Sequence, residues 1–309
     1  MEKETTMPSS PQEDDASATV DVIIPSYNER PDALAATLSA CLKQTHAINR
    51  IYVVDDGSRV PVVLPDWAKS LSRICLLHLP ENRGTAAARN AAISLSITAL
   101  LACVNAEVLP DPDWLATCSE YLARHPKVGS CYTRTVPHKP ERLLTRWRMR
   151  FQEPRFGEQS GPSDFAHGHA VLFRRSAVDD VGGYDVRVGT VEDSDISARM
   201  WKAGWETHYV AQSRSVSVQE DTLKLLALKQ LRDNGWKSAE KSSLLRLYFN
   251  LTKWTIVRAG RNIVRARFSL LPVDIALWVY ALGIATSRTM KYSFGPSPVS
   301  DSSKNTPAE

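Results

Sequence analysis

Four short apolar runs, each followed by a polar or acidic cluster, recur between Val20 and Glu107 and constrain the fold more than any other feature of the chain. Val20-Asp21-Val22-Ile23-Ile24-Pro25 leads into Ser26-Tyr27-Asn28-Glu29. Arg50-Ile51-Tyr52-Val53-Val54 leads into Asp55-Asp56-Gly57-Ser58. Residues 74–79 precede Asn82-Arg83-Gly84, and residues 97–104 precede Asn105-Ala106-Glu107. Their length and β-branched content predict strands. Between them, residues 32–44 carry Leu34, Leu38, Cys41 and Leu42 near helical spacing, behind Pro31, and residues 85–94 are Ala-rich. Strands alternating with helices predict an α/β fold with a mostly parallel sheet flanked by helices. In such sheets a ligand sits outside the carboxyl ends of the strands. The four polar clusters stand there.

Further along, residues 134–164 read as a loop-rich, basic and aromatic stretch. Residues 170–173 read as a strand, Gly182-Gly183-Tyr184-Asp185 as a turn, and Glu192-Asp193-Ser194-Asp195 as the start of a helix reaching about Ala203. Acids in a first turn suit the helix dipole. A short strand follows at 205–210, and beyond Thr222 the chain reads as helical and basic. Residues 1–18 and 293–309, rich in Ser and Pro, predict disordered tails. The expected organisation is an α/β domain over 19–219 and a helical extension over 220–292.

The hydrophobic share of 43% is ample for a core, and the net charge of +4 is unevenly spread. Glu2, Glu4, Asp14 and Asp15 make the start acidic, whereas residues 244–267 carry Arg246, Lys253, Arg258, Arg261, Arg265 and Arg267 and no acid. The five cysteines are scattered, with no C-x-x-C pair, which indicates reduced thiols and argues against a zinc site. The start has no apolar signal-like core. The best candidate for a membrane span, residues 270–287, is interrupted by Pro272 and Asp274, so no clean span is expected. These features predict a cytoplasmic protein.

Taken in order, several motifs resemble family 2 glycosyltransferases of the GT-A fold. Val22-Ile23-Ile24-Pro25-Ser26-Tyr27-Asn28-Glu29 looks like their opening strand, and Val53-Val54-Asp55-Asp56-Gly57-Ser58 like their second strand end. Asn82-Arg83-Gly84 through Ala88-Arg89-Asn90 resembles a third segment, and Gly182-Gly183-Tyr184-Asp185 with Glu192-Asp193 resembles the acceptor-side signature. The likeness covers about residues 20–210. It implies a GT-A Rossmann-like domain, a nucleotide-sugar donor, transfer of a hexosyl-type group to a hydroxyl with inversion, and a divalent cation (Mn2+ or Mg2+). The acceptor implied is a glycan, glycolipid or lipid-linked intermediate of the kind used to build cell-envelope polysaccharide.

The same resemblance distributes roles. Pro25, Tyr27, Asn28, Glu29, Asp55 and Asp56 would form the nucleotide pocket, Tyr27 stacking on the base and an aspartate accepting from its N–H edge. Gly84 and Arg89 would approach the donor, since glycine permits close backbone approach and guanidinium suits phosphate. Asn105-Ala106-Glu107 lies where the family has Asp-x-Asp. Glu107 would be the metal ligand, with Asn105 on sugar or metal. Asp193 would be the general base, oriented by Glu192. The plainer alternatives are an Asx turn at Asp55-Asp56, Arg89 on a wet helix face, and acids that merely cap a helix at Glu192-Asp193. Asp111 and Asp113 read as helix-cap residues and Asp195 as a surface acid. His167 and His169 are either acceptor or metal contacts or structural. Gln230-Leu231-Arg232 and Trp236 faintly resemble a motif of processive relatives at the wrong spacing, and Arg232 or Trp236 would then close over the diphosphate.

The basic, aromatic C-terminal region suits either an anionic membrane surface, as a peripheral attachment, or a helical pair packed with its arginines wet. No nucleic-acid module is recognisable. Two other functions stay open: a GT-A protein that binds nucleotide sugar or glycan without catalysis, which the Asn105/Glu107 departure favours, and a sugar-phosphate nucleotidyltransferase.

Overall fold

The computed structural model describes residues 18–151, 156–233 and 243–294. In chain order the elements are β1 (Val20–Ser26), α1 (Pro31–Leu42), β2 (Ile48–Asp55), α2 (Asp66–Lys69), β3 (Ile74–His78), α3 (Thr85–Ile93), β4 (Leu100–Val104) and β5 (Val108–Pro110). They continue with α4 (Trp114–Arg124), β6 (Val128–Pro137), α5 (Leu143–Phe151), β7 (Gly161–Pro162), β8 (Ala170–Arg174), α6 (Arg175–Asp180) and α7 (Glu192–Lys202). β9 (Glu206–Ser217), α8 (Leu223–Asp233), α9 (Ser243–Val264) and α10 (Leu271–Phe294) complete the chain. These form two compact units. The first holds residues 18–139 and 156–219; the second holds 140–151, 220–233 and 243–294.

The first unit is built on one mixed sheet of order β3-β2-β1-β4-β8-β6-β9-β5, with β7 paired to β9. β3, β2, β1 and β4 are parallel neighbours. β8 runs antiparallel to both β4 and β6, while β6 and β9 are parallel to each other. The parallel sheet read from the sequence is therefore its first half. Alternation along β1 shows why the strand must be covered on both sides. Val20, Val22 and Ile24 join one apolar cluster, and Ile23 joins the other. Val53 and Tyr52 divide in the same way on β2, and Ala102 and Leu101 on β4. Burying each such Val, Ile or Leu side chain stabilises the fold by about 1.5–3 kcal/mol.

Three local readings need correction. β6 begins before the stretch read as loop and runs into its first four residues, 134–137, and it is buried along nearly its whole length. Its polar residues are matched across the sheet: Ser130 with Thr207 at 2.9 Å and Thr135 with Ser215 at 2.8 Å. Paired hydroxyls replace the apolar alternation that a sequence scan looks for. α5 lies in the same stretch, and β9 runs on to Ser217 instead of stopping near Val210. Asp21 inside β1 is tolerated because Asn49, the Arg50 N–H and Ser96 all donate to its carboxylate.

In the second unit, α5, α8, α9 and α10 pack around Trp147, Leu226, Leu251 and Leu277. Asp274 is wholly buried, accepting from Trp147 Nε1 at 2.8 Å, Arg258 Nε at 3.3 Å and Asn262 Nδ2 at 2.9 Å. Burial pulls the Arg258 pKa down and Asp274 opposes this. Pro272 is the second residue of α10, where its missing N–H and fixed φ are tolerated. It does not interrupt the apolar stretch. By length and composition alone, the 20 residues Phe268–Ser287, which include Pro272 and Asp274, are long and apolar enough to cross a membrane.

Candidate active site

At the carboxyl end of β1 the chain turns sharply. Asn28 takes a left-handed φ of 52°, a conformation that Asn tolerates better than most residues. Its N–H donates to Ser58 Oγ at 2.8 Å, and its Oδ1 accepts from the Arg59 N–H at 3.0 Å. Asn28 therefore fastens the β1 loop to the β2 loop. Glu29 accepts from the neighbouring Arg30 N–H and is not among the residues lining the cavity described below.

Asp55 and Asp56 divide the two roles read for them. Asp55 accepts from the Ser58 N–H, the Val62 N–H and His78 Nδ1, each at 3.0 Å. Burial raises its pKa, but these bonds win and the net shift is downward. Asp55 is thus the turn-holding residue. Asp56 accepts from the Arg83 and Gly84 N–H groups at 2.9 and 2.8 Å and is also a lining residue of the cavity. Gly57, between them and Ser58, has φ +66°, and a Cβ there would lie 2.4 Å from the Glu81 carbonyl carbon. Gly84 has φ +89° and open space around the missing Cβ, so it is the backbone conformation, not crowding, that requires glycine.

The cavity has a volume of ≈ 210 Å³. Pro25, Ser26 and Tyr27 line it from β1, together with Asp56 and with Thr85 at the start of α3. Asn105 and Glu107, just beyond β4, form another wall. Tyr27 is exposed. Ser26, a lining residue of this cavity, was not among the expected site residues: its Oγ is buried and has no hydrogen-bond partner. Its place in the polar run after β1 was the available signal. Thr85 gave none, being one of several small residues at a helix start.

Beside the cavity stands a buried ion cluster. Arg89 is 1% exposed, which overturns a wet-face placement. Its Nη1 donates to Asp193 Oδ1 at 2.6 Å and lies 3.7 Å from Glu192 Oε1. Its Nη2 donates to the Gly168 carbonyl at 3.2 Å and to Asn105 Oδ1 at 3.4 Å. The guanidinium also sits 5.0 Å over the Tyr184 ring. Burial opposes its charge, but the surrounding field, from Tyr184 and the two carboxylates among others, raises its pKa well above the ordinary value. Arg89 is thus committed to acids and is not a cavity-lining residue, which differs from the donor-contacting role read for it.

Asp193 is gripped from two sides. Oδ1 takes Arg89, and Oδ2 takes the Gly168 N–H at 3.2 Å. A Cβ on residue 168 would fall 2.1 Å from Oδ2, so only glycine allows this approach. Each carboxylate oxygen retains a lone pair, and the side chain is partly open to solvent. Nothing in the sequence marks Gly168, whose contact is made by its backbone. Asn90 adds a second lock, exchanging two hydrogen bonds with the Tyr184 backbone at 2.8 and 2.9 Å, which holds the Gly182-Gly183 turn.

The other candidates scatter. The His169 carbonyl accepts the Asn105 N–H at 3.0 Å, tying the start of β8 to the end of β4. His167 sits among Phe165, Tyr132 and Phe156, with ring centroids 4.5, 5.4 and 6.2 Å away. Asp113 is at the N-cap position of α4 without a side-chain cap bond. Burial raises the pKa of Asp111, with Arg214 opposing. Asp195 pairs with Arg199 one turn along α7. Trp236 and the side chain of Arg232 lie outside the described residues.

For a cation, the cavity offers hard oxygen donors: the Glu107 and Asp56 carboxylates and the Asn105 amide. Among the described residues no group of three His, Cys, Asp or Glu is placed to hold a metal by itself. Carboxylate and amide oxygens are the donor chemistry that a hard divalent cation would take.

The family model for glycosyl transferase family 2 matches residues 21–182, which spans β1 through the Gly182 turn and includes every cavity-lining residue. The chain belongs to glycosyl transferase family 2. A pre-mycofactocin glycosyltransferase of Mycobacterium tuberculosis is 30% identical to it over 52% of this chain and 35% of the relative. An N-acetylglucosaminyltransferase of Rhizobium sp. (strain N33) is 31% identical over 86% of this chain and 61% of the relative. The chain thus spans from about a third to three-fifths of these relatives' lengths. Among solved structures, a mannosyltransferase from Pyrobaculum calidifontis in complex with GDP-Man and Mn2+ superposes with a TM-score of 0.54 at 20% identity, covering 91% of this chain and 77% of that one. The fold is that of the GT-A glycosyltransferases.

Proposed function

We propose that this family 2 member is an inverting enzyme that transfers a sugar from a nucleotide-diphosphate donor to an acceptor hydroxyl. The observation that carries this is the buried Arg89, whose one guanidinium bonds both Asp193 and the cavity-wall residue Asn105. It fixes an acid beside a cavity with the stacking ring, acceptor groups and hard oxygen donors that a nucleotide diphosphate needs. The base of the donor lies on Tyr27, with Asp56 accepting from it. Glu107, with Asn105 and Asp56 nearby, would hold a divalent cation beside the diphosphate. When bound, that cation offsets charge on the leaving group. Asp193, oriented by Arg89 and Gly168, takes the acceptor proton, and attack from the face opposite the leaving group inverts the anomeric carbon. The Mn2+ present with the Pyrobaculum mannosyltransferase supports the choice of cation.

For the acceptor, a lipid-linked or glycolipid intermediate of envelope polysaccharide is favoured, with the enzyme working at the cytoplasmic face of a membrane. The basic C-terminal helices support this reading. Calorimetric titration of UDP, GDP and dTDP, with and without Mn2+, tests the donor site. Metal-dependent binding of one nucleotide, lost in Glu107→Ala, is expected. Asn105 in place of an acid favours a second reading, a protein that binds without turnover. Nucleotide binding with no transfer, unchanged in Asp193→Asn, would establish that reading instead.

A further inference from the structure

Helix α9 has two apolar faces, and the described residues of the second unit cover only one. Leu247, Leu251 and Asn262 are buried against α10 and its neighbours, with Arg258 turned to the same side. On the opposite side, at steps of four and seven residues, stand Leu245, Phe249, Ile256 and Ile263, which are 69%, 62%, 66% and 54% exposed. At 3.6 residues per turn these four form one stripe along the helix. Arg246 and Lys253 flank the stripe on one side, and both are exposed. Four large side chains left in water at helical spacing are not the scattered apolar residues of an ordinary surface.

We propose that α9 lies flat on an anionic lipid bilayer, its Leu245–Phe249–Ile256–Ile263 stripe sunk at the headgroup boundary and its basic flank on lipid phosphates. Charge decides the occupant. Residues 244–267 contain six basic side chains and no acid, so a second copy of the chain would bring like charge against like. An anionic bilayer supplies both the apolar depth and the counter-charge. The attachment is in-plane and not by α10, although α10 carries the stretch long enough to span. Asp274 on α10 is fully buried with three donors on it, and Val273, Leu277, Ala281 and Ala285 form an inward stripe in the same core. Lifting α10 into hydrocarbon would strand that carboxylate. The inference refines the membrane-face reading above but does not require transfer activity.

The test is co-sedimentation of the full chain with phosphatidylcholine vesicles, with and without phosphatidylglycerol. Binding to the anionic vesicles only is expected, weakening strongly as salt rises. The double variant Phe249→Glu, Ile256→Glu should lose about tenfold or more in vesicle affinity, with its helical circular dichroism intact. Arg246→Glu, Lys253→Glu, which leaves the apolar stripe untouched, should lose a similar amount. Calorimetric nucleotide binding, measured on the same samples, reports separately on the donor site. Any of four results would overturn the proposal: no binding to either vesicle, equal binding to both, wild-type binding by the folded variants, or attachment released only by detergent. So would a dimer in light scattering that the apolar double variant turns into a monomer, because the stripe would then be an interface between copies.

Discussion

Gly168 shows how much can rest on a missing side chain. A methyl group there would fall 2.1 Å from Asp193 Oδ2, so Gly168→Ala must push the carboxylate aside. A displacement near 1 Å at a catalytic group costs about a hundredfold in rate. We expect that loss in transfer, with nucleotide affinity changed by less than about threefold, because no cavity-lining group moves. Equal loss of nucleotide binding would show that the substitution had collapsed the site. Asp193→Asn is a sharper change. Transfer should drop by about 10²–10⁴, and the melting temperature should also fall, because Arg89 keeps only the more distant Glu192 as an anion. Asp55 makes a pH prediction. Its folded pKa lies below the ordinary carboxylate value, so it contributes stability that is fully present above the unfolded value near 3.9 and is lost as pH falls through the folded value. Asp55→Asn should be less stable than wild type at neutral pH, and the gap should narrow below about pH 4 in acid-unfolding curves.

At the scale of elements, what could be read from sequence followed the strength of each periodic signal. β1, β2 and α1 stand out because apolar residues repeat with one period and then stop at a breaker. β6 was hidden because hydroxyls fill its inward positions, and their partners on β9 lie about 80 residues away in the chain. α5 was hidden because Trp147 and its arginines look like a basic loop, whereas the structure buries Trp147 completely. The site divides in the same way. Tyr27, Asp56, Asn105 and Glu107 were legible because strand ends position them. The Arg89–Asp193 pair was not, because it joins two helices 104 positions apart. Asp274→Ala leaves Arg258 and Asn262 without their shared acceptor, which should destabilise the helical unit by about 3–5 kcal/mol. Urea unfolding followed by tryptophan fluorescence, with Trp147 and Trp278 both in this unit, would measure it; a change under about 1 kcal/mol would mean water replaces the carboxylate.

Across the whole molecule, thiol chemistry reports on how completely the two sheet faces are sealed. Cys41 and Cys118 sit in one apolar cluster and Cys103 in the other, all essentially inaccessible. Burial pushes the Cys41 thiol up to about 12 and the Cys103 thiol up to about 11, and it holds the Cys131 thiol well above its ordinary value. The thiolate is the reactive species, so at neutral pH Cys41, Cys103 and Cys131 combine low access with almost no nucleophile. Cys75 on β3 differs, being half-buried with the Arg50 guanidinium 4.0 Å from its sulfur. β3 is the end strand of the sheet order, which explains why its residues are the least covered of the parallel half. Titration of the native chain with a thiol reagent at neutral pH should therefore modify one cysteine quickly, and peptide mapping should place it at Cys75. The other four should react only at the rate of global opening. Rapid modification of Cys103 would be the more informative failure, because that thiol lies beneath Tyr184 and Arg89. It would mean that the clamp holding Asp193 opens in the absence of substrate, and that the acid is ordered by binding instead of being held ready for it.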